Sequence, residues 1–222
     1  MRFTTVLPGV LAALLAGCGA GGMQTASQVG QANAASAAAA PPLGTEQSFA
    51  VLGGSTVTNT GSSVVTGNLG VSPGSAVTGF PPGIVTGGTT HAADAVALQA
   101  QNDTTTAYNN LASQTCTSDL TGQDLGGKTL VAGVYCFSSS AQLTGALTLD
   151  AGGDSNAVWV FKTGSTLVTA SGSSVLLTNG GQSCNVFWQV GSSATLGTTT
   201  SFVGSILALT SITLNTGANV SG

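Results

Sequence analysis

Side chains able to do covalent or acid–base chemistry are sparse in this chain, and their spacing decides little in favour of catalysis. His91 is the only histidine. It stands at the start of a segment without Gly or Pro, where a capping or exposed role is expected rather than that of a base. Asp119 with Asp124, and Asp150 with Asp154, are spaced carboxylates of the kind that serve glycan cleavage. All four sit in Gly-rich stretches, where Asp favours turns by accepting hydrogen bonds from its own backbone. DAGGDSN at 150–156 faintly resembles a calcium-binding turn but lacks a repeated acidic nonapeptide, so a plain turn is expected. Lys128 and Lys162 are isolated. No catalytic residue, metal ligand or cofactor site is assigned.

The hydroxyls are a different matter. A threonine-rich phrase is written three times: TLVTASG at 166–172, TLGTTTS at 195–201 and TLNTGAN at 213–219. The second and third start 18 residues apart, and the first and second 29 apart, as if TNGGQSCN (178–185) were inserted into a similar unit. Asn59-Thr60-Gly61-Ser62-Ser63-Val64 matches Asn215-Thr216-Gly217-Ala218-Asn219-Val220, and Thr60-Gly61 and Thr78-Gly79 are again 18 apart. A unit of that length with three short strands suits a coil of a three-sided β-solenoid. Leu167, Leu196 and Leu214 then point inward, and alternation sends Thr166, Thr195 and Thr213 outward. Stacked coils place equivalent residues about 4.7–4.9 Å apart. A lattice of methyls and hydroxyls at that spacing orders water into an ice-like layer. The plainer account is that Thr, being β-branched and polar, simply fills exposed strand positions.

Other elements must position these rows. Short apolar segments such as VWVF (158–161), VLL (175–177), VFWQV (186–190) and SILAL (205–209) predict strands bounded by Gly, Asn and Ser. Residues 90–113 contain no Gly or Pro, and Ala93, Val96, Ala97, Ala100, Ala107 and Leu111 recur at helical spacing. They predict one helix with a stripe of small residues, capped by Thr90 and with Asp94 in its first turn. Such a stripe lets the helix lie close against a sheet.

Residues 1–17 read as a lipoprotein leader: Arg2, an apolar core from Val6 to Leu15, and Leu15-Ala16-Gly17-Cys18, which resembles a lipobox. Lipidation is expected at Cys18. Residue 20 is Ala, which favours the outer membrane or cell surface, with plain secretion as the alternative. Residues 18–45 are rich in Ala, Gly, Gln and Ser and predict a flexible tether before a folded domain at 46–222. In an exported chain, one disulfide and one buried thiol are expected among Cys116, Cys136 and Cys184, with Cys184 opening an apolar strand. Only 5% of the 222 residues are charged, and the net charge is −4 with three Lys+Arg. Nucleic acid is thereby an improbable partner, because phosphate neutralisation needs clustered cations. A monomer is expected.

Several long segments together resemble the bacterial and fungal ice-binding proteins of the DUF3494 type. They are FAVLGGSTVTNTGSSVVTGNLGVSPGSAVTGFPPG (49–83), the helix block with Ala107-Tyr108, AGVYCF (132–137), LTLDAGGDSNAVWVFKTGSTL (147–167) and 184–222. The resemblance implies a mainly β fold, a discontinuous right-handed β-solenoid of triangular section with one long α-helix packed alongside. It implies a non-enzymatic protein whose partner is the ice surface with its ordered water, beside the membrane reached by the lipid anchor. It implies a disulfide between Cys116 and Cys136. Members of the family often carry Thr-Ala/Gly-x-Thr/Asn on the ice face. Thr216-Gly217-Ala218-Asn219 matches; Thr169-Ala170-Ser171-Gly172 and Thr198-Thr199-Thr200-Ser201 depart from it. The implied ice-binding residues are Thr166, Thr169, Ser171, Thr195, Thr198, Thr200, Thr213, Thr216 and Asn219. Similar proteins run on for another strand after VSG, so the last coil is expected to be truncated. An adhesion module on glycan or another surface, and a solenoid glycan lyase or hydrolase, stand as the other readings.

Overall fold

The structure, a computed structural model, describes residues 38–222 together with the backbone of one short strand, Ala12–Leu14. Cys18 and most of the leader and tether lie outside the described residues.

From Phe49 onward the chain winds as a three-sided β-solenoid. Its first face is a nine-stranded sheet in the order Thr90–Ala92, Asn68–Val71, Phe49–Gly53, Ala12–Leu14, Ser205–Ala208, Val186–Val190, Trp159–Thr163, Gly133–Phe137, Ser118–Asp119. The second face holds Ala141–Leu143, Leu167–Thr169, Ser193–Leu196 and Ser211–Leu214. The third holds Thr129–Val131, Ala146–Asp150, Ser174–Thr178, Ser201–Val203 and Asn219–Ser221. In the amino-terminal coils, Thr56–Thr58 pairs with Ala76–Thr78 and Val64–Thr66 with Ile84–Thr86. Adjacent coils pair in parallel throughout; only Ala12–Leu14 is antiparallel.

The inside of the triangle is filled mostly by apolar side chains. Leu147, Leu149, Trp159, Phe161, Leu167, Trp188, Leu196 and Ile206 belong to one buried cluster. Register sets Tyr135 beside Phe161 beside Trp188, and their rings stack at 5.5 and 3.9 Å between centroids. Trp188 also meets Phe202 across the interior, tilted by 46° with centroids 4.8 Å apart. The indole nitrogens of Trp159 and Trp188 donate to the carbonyls of Leu130 and Val203, so neither large ring buries an unpaired donor.

The insertion expected at 178–185 is real in spatial terms. In the coil ending at Val203, Gly204 alone turns the chain from the third face to the first, with φ 105°. In the coil before, the strands Ser174–Thr178 and Val186–Val190 are separated by a longer bend containing the turn Ser183–Asn185. Cys184 lies in that turn and is half-buried rather than sealed in the core.

The helix covers the outer side of the first face. It spans Ala95–Ser113, not 90–113. Thr90–Ala92 pairs instead with Asn68–Val71, and Ala93 then takes φ 53°, which ends the strand. Asp94, not Thr90, is the cap: its carboxylate accepts from the Ala97 amide at 2.8 Å. His91 Nδ1 lies 2.7 Å from the same carboxylate. Ala97, Ala100, Ala107 and Leu111 are buried as expected, while Val96 is 41% exposed. Ala97 and Ala100 cluster with Phe49 and Leu52; Ala107, Tyr108 and Leu111 cluster with Val134, Val160, Phe187 and Leu207. At the other end Lys162 Nζ donates to the carbonyls of Ala112 and Gln114, a cation at a helix carboxyl terminus. Cys116 and Cys136 form the disulfide, tying the chain just past the helix to the first face.

Residues 38–45, expected to belong to the tether, pack on this helix. Ala39 exchanges hydrogen bonds with the Gln114 side chain, and the Thr45 amide donates to Asp103 at 2.7 Å. The following turn, Gly44–Ser48, buries Glu46 completely. Among the described residues no helix is long and apolar enough to cross a membrane.

Candidate functional site

The expected site residues fall into three places. Thr195 and Thr213 are aligned neighbours on the second face, each half-buried. Thr166 is not in their row. Register pairs Leu167 with Ala194 rather than with Leu196, so Val168 is the residue beside Thr195. The Thr-Leu-x-Thr phrase at 166 is therefore displaced by two residues from the other two. Thr166 Oγ1 instead donates to Ser140 Oγ at 2.8 Å, and Ser211 Oγ to Ser193 Oγ at 2.9 Å. The hydroxyls of this second row are spent largely on one another.

Thr169 and Thr200 were expected to face outward, and the structure turns both inward. They are 3% and 1% exposed, and their hydroxyls lie 2.9 Å apart. Thr169 Oγ1 also accepts from the Gly197 amide, so it satisfies a buried backbone donor at the bend.

The remaining residues lie at the corner between the second and third faces, and here the repeat is regular. Ser174, Ser201 and Asn219 are in register. Thr198 Oγ1 donates to Ser171 Oγ at 2.8 Å, and the Thr199 amide donates to the Thr216 carbonyl. The repeating units are thus Ser171-Gly172-Ser173-Ser174, Thr198-Thr199-Thr200-Ser201 and Thr216-Gly217-Ala218-Asn219. Each position in the unit has one job. The first is exposed in all three coils. The second takes a left-handed backbone, φ 71° at Gly172, 57° at Thr199 and 75° at Gly217, which is why Gly belongs there. The third points inward, with Ser173 and Thr200 buried and Ala218 packed on the core. The fourth opens a third-face strand and is outward again. Reading the first copy from Thr169, two residues early, leaves out Ser174, and Ser201 stands outside the expected set although it closes the second unit. The outward–left-handed–inward–outward order is the signal that finds both.

The third face beyond this corner mixes hydroxyls with bare apolar groups. Thr129 and Thr148 are aligned, as are Val203 and Ser221. Val131 is 64% and Leu176 47% exposed. The strands in the equivalent place in the amino-terminal coils expose Val64 (58%) and Ile84 (51%), with the Thr66 and Thr86 hydroxyls 3.3 Å apart. The apparent match of 59–64 to 215–220 is not a structural equivalence, since Val64 is outward whereas Val220 packs on the core.

The carboxylates are occupied by turns. Asp119 accepts from the Thr121 amide, Asp150 from the Gly152 amide and Asn179, and Asp154 from the Asn156 amide. Asp124 accepts from the Gly126 and Thr144 amides and the Thr144 hydroxyl. These bonds hold Asp119 and Asp150 below the ordinary aspartate range. Burial opposes the same effect at Asp124, where the bonds still prevail. Stabilised anions of this kind serve loop geometry. Among the described residues no cluster of three His, Cys, Asp or Glu could hold a metal ion.

Comparison with known proteins adds to this geometry. The "Ice-binding-like" family model matches residues 51–222. An ice-binding protein of Nostoc sp. (strain HG1) is 65% identical over 186 residues, 84% of this chain and 68% of its own length. Ice-binding protein 1 of Shewanella frigidimarina is 34% identical, but the match spans only 24% of that protein. Among solved structures, an ice-binding protein from the Antarctic ascomycete Antarctomyces psychrotrophicus superposes with a TM-score of 0.78 at 42% identity, covering 82% of this chain and 89% of the other. With a solenoid that matches in both sequence and shape over most of its length, the chain belongs to the Ice-binding-like family.

Proposed function

We propose that this domain binds ice, and that it does so through the third face and its leading corner. The observation that carries the placement is the pair of outward rows in register, Ser171–Thr198–Thr216 and Ser174–Ser201–Asn219, repeated at coil spacing of about 4.7–4.9 Å. Hydroxyls anchor water along these rows, and the exposed methyls of Thr198, Thr216, Leu176 and Val131 restrict the water between them. The first face is unsuited because the helix covers it. The second face is less suited because Thr195 and Thr213 are half-buried and the residue beside Thr195 in the adjacent coil is Val168, which interrupts the threonine row. Scarcity of charge favours the reading, since ions impose their own hydration geometry. No chemical step is involved; adsorption curves the growing ice front between bound molecules, inhibiting growth and recrystallisation. Cleavage of the leader after residue 17, leaving a lipidated Cys18, would hold the domain at the cell envelope and so place the cell at ice.

The test is recrystallisation of ice at constant subzero temperature with purified protein. Wild type is expected to hold crystal size constant, and Thr198→Tyr, which places a ring across both rows, to lose at least about tenfold in effective concentration. Growth at the rate of a buffer control with folded wild type contradicts ice binding.

A further inference from the structure

A hydroxyl, an imidazole and a carboxylate line up where the strand Thr90–Ala92 meets the helix. Thr89 Oγ1 lies 3.0 Å from His91 Nε2, and His91 Nδ1 lies 2.7 Å from Asp94 Oδ2. His91, expected only to cap or to lie exposed, is thus engaged at both ring nitrogens. Thr89 and His91 are two residues apart on extended chain, so their side chains share one face. Ala93, with φ 53°, then turns the chain and brings Asp94 to the far nitrogen of the ring.

Each member is held by a further contact. Asp94 Oδ1 accepts from the Ala97 amide, which fixes the carboxylate at the helix start. That bond and the one to His91 hold Asp94 below the ordinary aspartate range, so it is an anion at neutral pH. An anion beside Nδ1 keeps the imidazole proton on that nitrogen and leaves Nε2 bare to accept the Thr89 hydroxyl. Phe49 packs against the ring with centroids 5.5 Å apart, and Gly70, in register with His91, leaves room where a Cβ would strike Phe49. The Thr89 amide donates to Asn68 Oδ1, and its carbonyl accepts from the Leu69 amide. Because the Ala93 amide likewise donates to the Val71 carbonyl, alternation turns the Thr90 amide away from Asn68–Val71. Thr90–Ala92 is the last strand of its sheet among the described residues, so that amide faces an open edge. The residue after a nucleophile is where acyl-transfer sites take a donor for the developing oxyanion.

A base within hydrogen-bond reach of a hydroxyl, itself oriented by a third group, is the arrangement of nucleophilic catalysis. We propose that Thr89, His91 and Asp94 form an acyl-transfer site that hydrolyses short-chain carboxylic esters. Thr89 Oγ1 attacks the ester carbonyl carbon while His91 Nε2 takes its proton. The tetrahedral oxyanion faces the Thr90 amide. The bond to the alcohol oxygen breaks, His91 returns the proton to that oxygen, and the acyl group stays on Thr89 as an ester. Water, deprotonated by His91, then attacks this ester; the proton passes to Thr89 Oγ1 and the carboxylic acid leaves. Asp94 does not touch the substrate; it positions the ring. Thr89 is exposed, and Gly87 and Gly88 before it carry no side chains, so a small, unhindered ester reaches the hydroxyl directly.

The probe is para-nitrophenyl acetate with the purified full chain, read as release of nitrophenol and as the position of the acetyl group after acid quench. Wild type is expected to turn over repeatedly, with acetyl on Thr89. Thr89→Ala and His91→Gln are expected to lose about a hundredfold in turnover, and Thr89→Ser, which keeps the hydroxyl, to retain it. In Asp94→Asn the side-chain oxygen still caps the helix, so its amide group faces Nδ1 and donates to it. This variant is expected to lose at least about tenfold in turnover. Because His91 is the only histidine, NMR of the ring nitrogens reads its tautomer: Nδ1–H in wild type, Nε2–H in Asp94→Asn. Release no faster than in buffer, equal turnover in wild type and Thr89→Ala, acetyl found only at other residues, or loss in Thr89→Ser as deep as in Thr89→Ala overturns the proposal. An unchanged tautomer in Asp94→Asn overturns the part given to Asp94. Thr89 lies outside the rows proposed to meet ice, so ester turnover and recrystallisation activity fail separately.

Discussion

Thr199 is the residue that departs from its own repeat. Its counterparts Gly172 and Gly217 take left-handed backbone without a Cβ, whereas Thr199 does so at φ 57° with a β-branched side chain. Left-handed conformation costs an L-residue roughly 1–2 kcal/mol, offset in part by the greater entropy glycine loses on folding. Thr199→Gly is expected to stabilise the domain by about 0.5–1 kcal/mol, read as a rise in thermal midpoint, while leaving the neighbouring Thr198 and Ser201 outward. Gly217→Ala is expected to act in the opposite direction. At this scale the sequence was half legible. The inward leucines and the outward Thr195 and Thr213 followed from alternation. The placement of Thr166, Thr169 and Thr200 did not, because similar wording at 166 and 195 hides a two-residue shift that only strand pairing reveals. A left-handed residue resets the alternation, and nothing but its repeated position announces it.

Among elements, the contact between the Gly44–Ser48 turn and the helix carries the least expected group. Glu46 is fully buried, and neither carboxyl oxygen finds a hydrogen-bond partner. The nearby Thr104 hydroxyl donates to the Ala100 carbonyl instead. Burial pushes the Glu46 carboxyl from 4.5 up to about 8, and the Asp103 charge adds to the rise. The folded state therefore holds this proton where the unfolded state has released it. The stability this buried carboxyl contributes is fully present below about pH 4.5, falls as pH rises from there to about 8, and is flat above. Glu46→Gln is expected to remove most of that slope, of order several kcal/mol across the window; urea unfolding at pH 5 and pH 8 measures it. An unchanged difference in the variant would place the slope elsewhere. The disulfide is a second element-scale device. Cys116 and Cys136 are 20 residues apart, and closing such a loop in the unfolded chain is worth about 3 kcal/mol. Cys116→Ser with Cys136→Ser is expected to lose about that much, detected in the same unfolding assay. Sequence reasoning located the helix by its alanine stripe but began it too early, since a stretch without Gly or Pro does not distinguish a strand ending in a left-handed Ala93 from a first helical turn. Glu46 gave no signal at all, because a lone acid beside a low-complexity stretch looks like solvated surface.

For the whole molecule, the architecture was legible where the repeat is regular and obscure where it breaks. The 18-residue spacing between the second and third phrases corresponds to the pairing of Ala194 with Ile212 and Thr195 with Thr213. Coils with long bends at 151–158 and 179–185 conceal the same period. The helix lies over one side of the triangle, and that choice of face decides which hydroxyl rows are free; no local pattern contains this information. Ice is proposed to meet the third face, entered through the Ser171–Ser174, Thr198–Ser201 and Thr216–Asn219 corner. The most direct measurement is partition of folded protein into a slowly growing ice hemisphere, comparing Thr198→Tyr/Ser201→Tyr with Thr195→Tyr/Thr213→Tyr. The first pair is expected to fall to the partition of a non-binding control while the second stays near wild type. Loss in the second pair with retention in the first would put the ice-binding surface on the second face and contradict it.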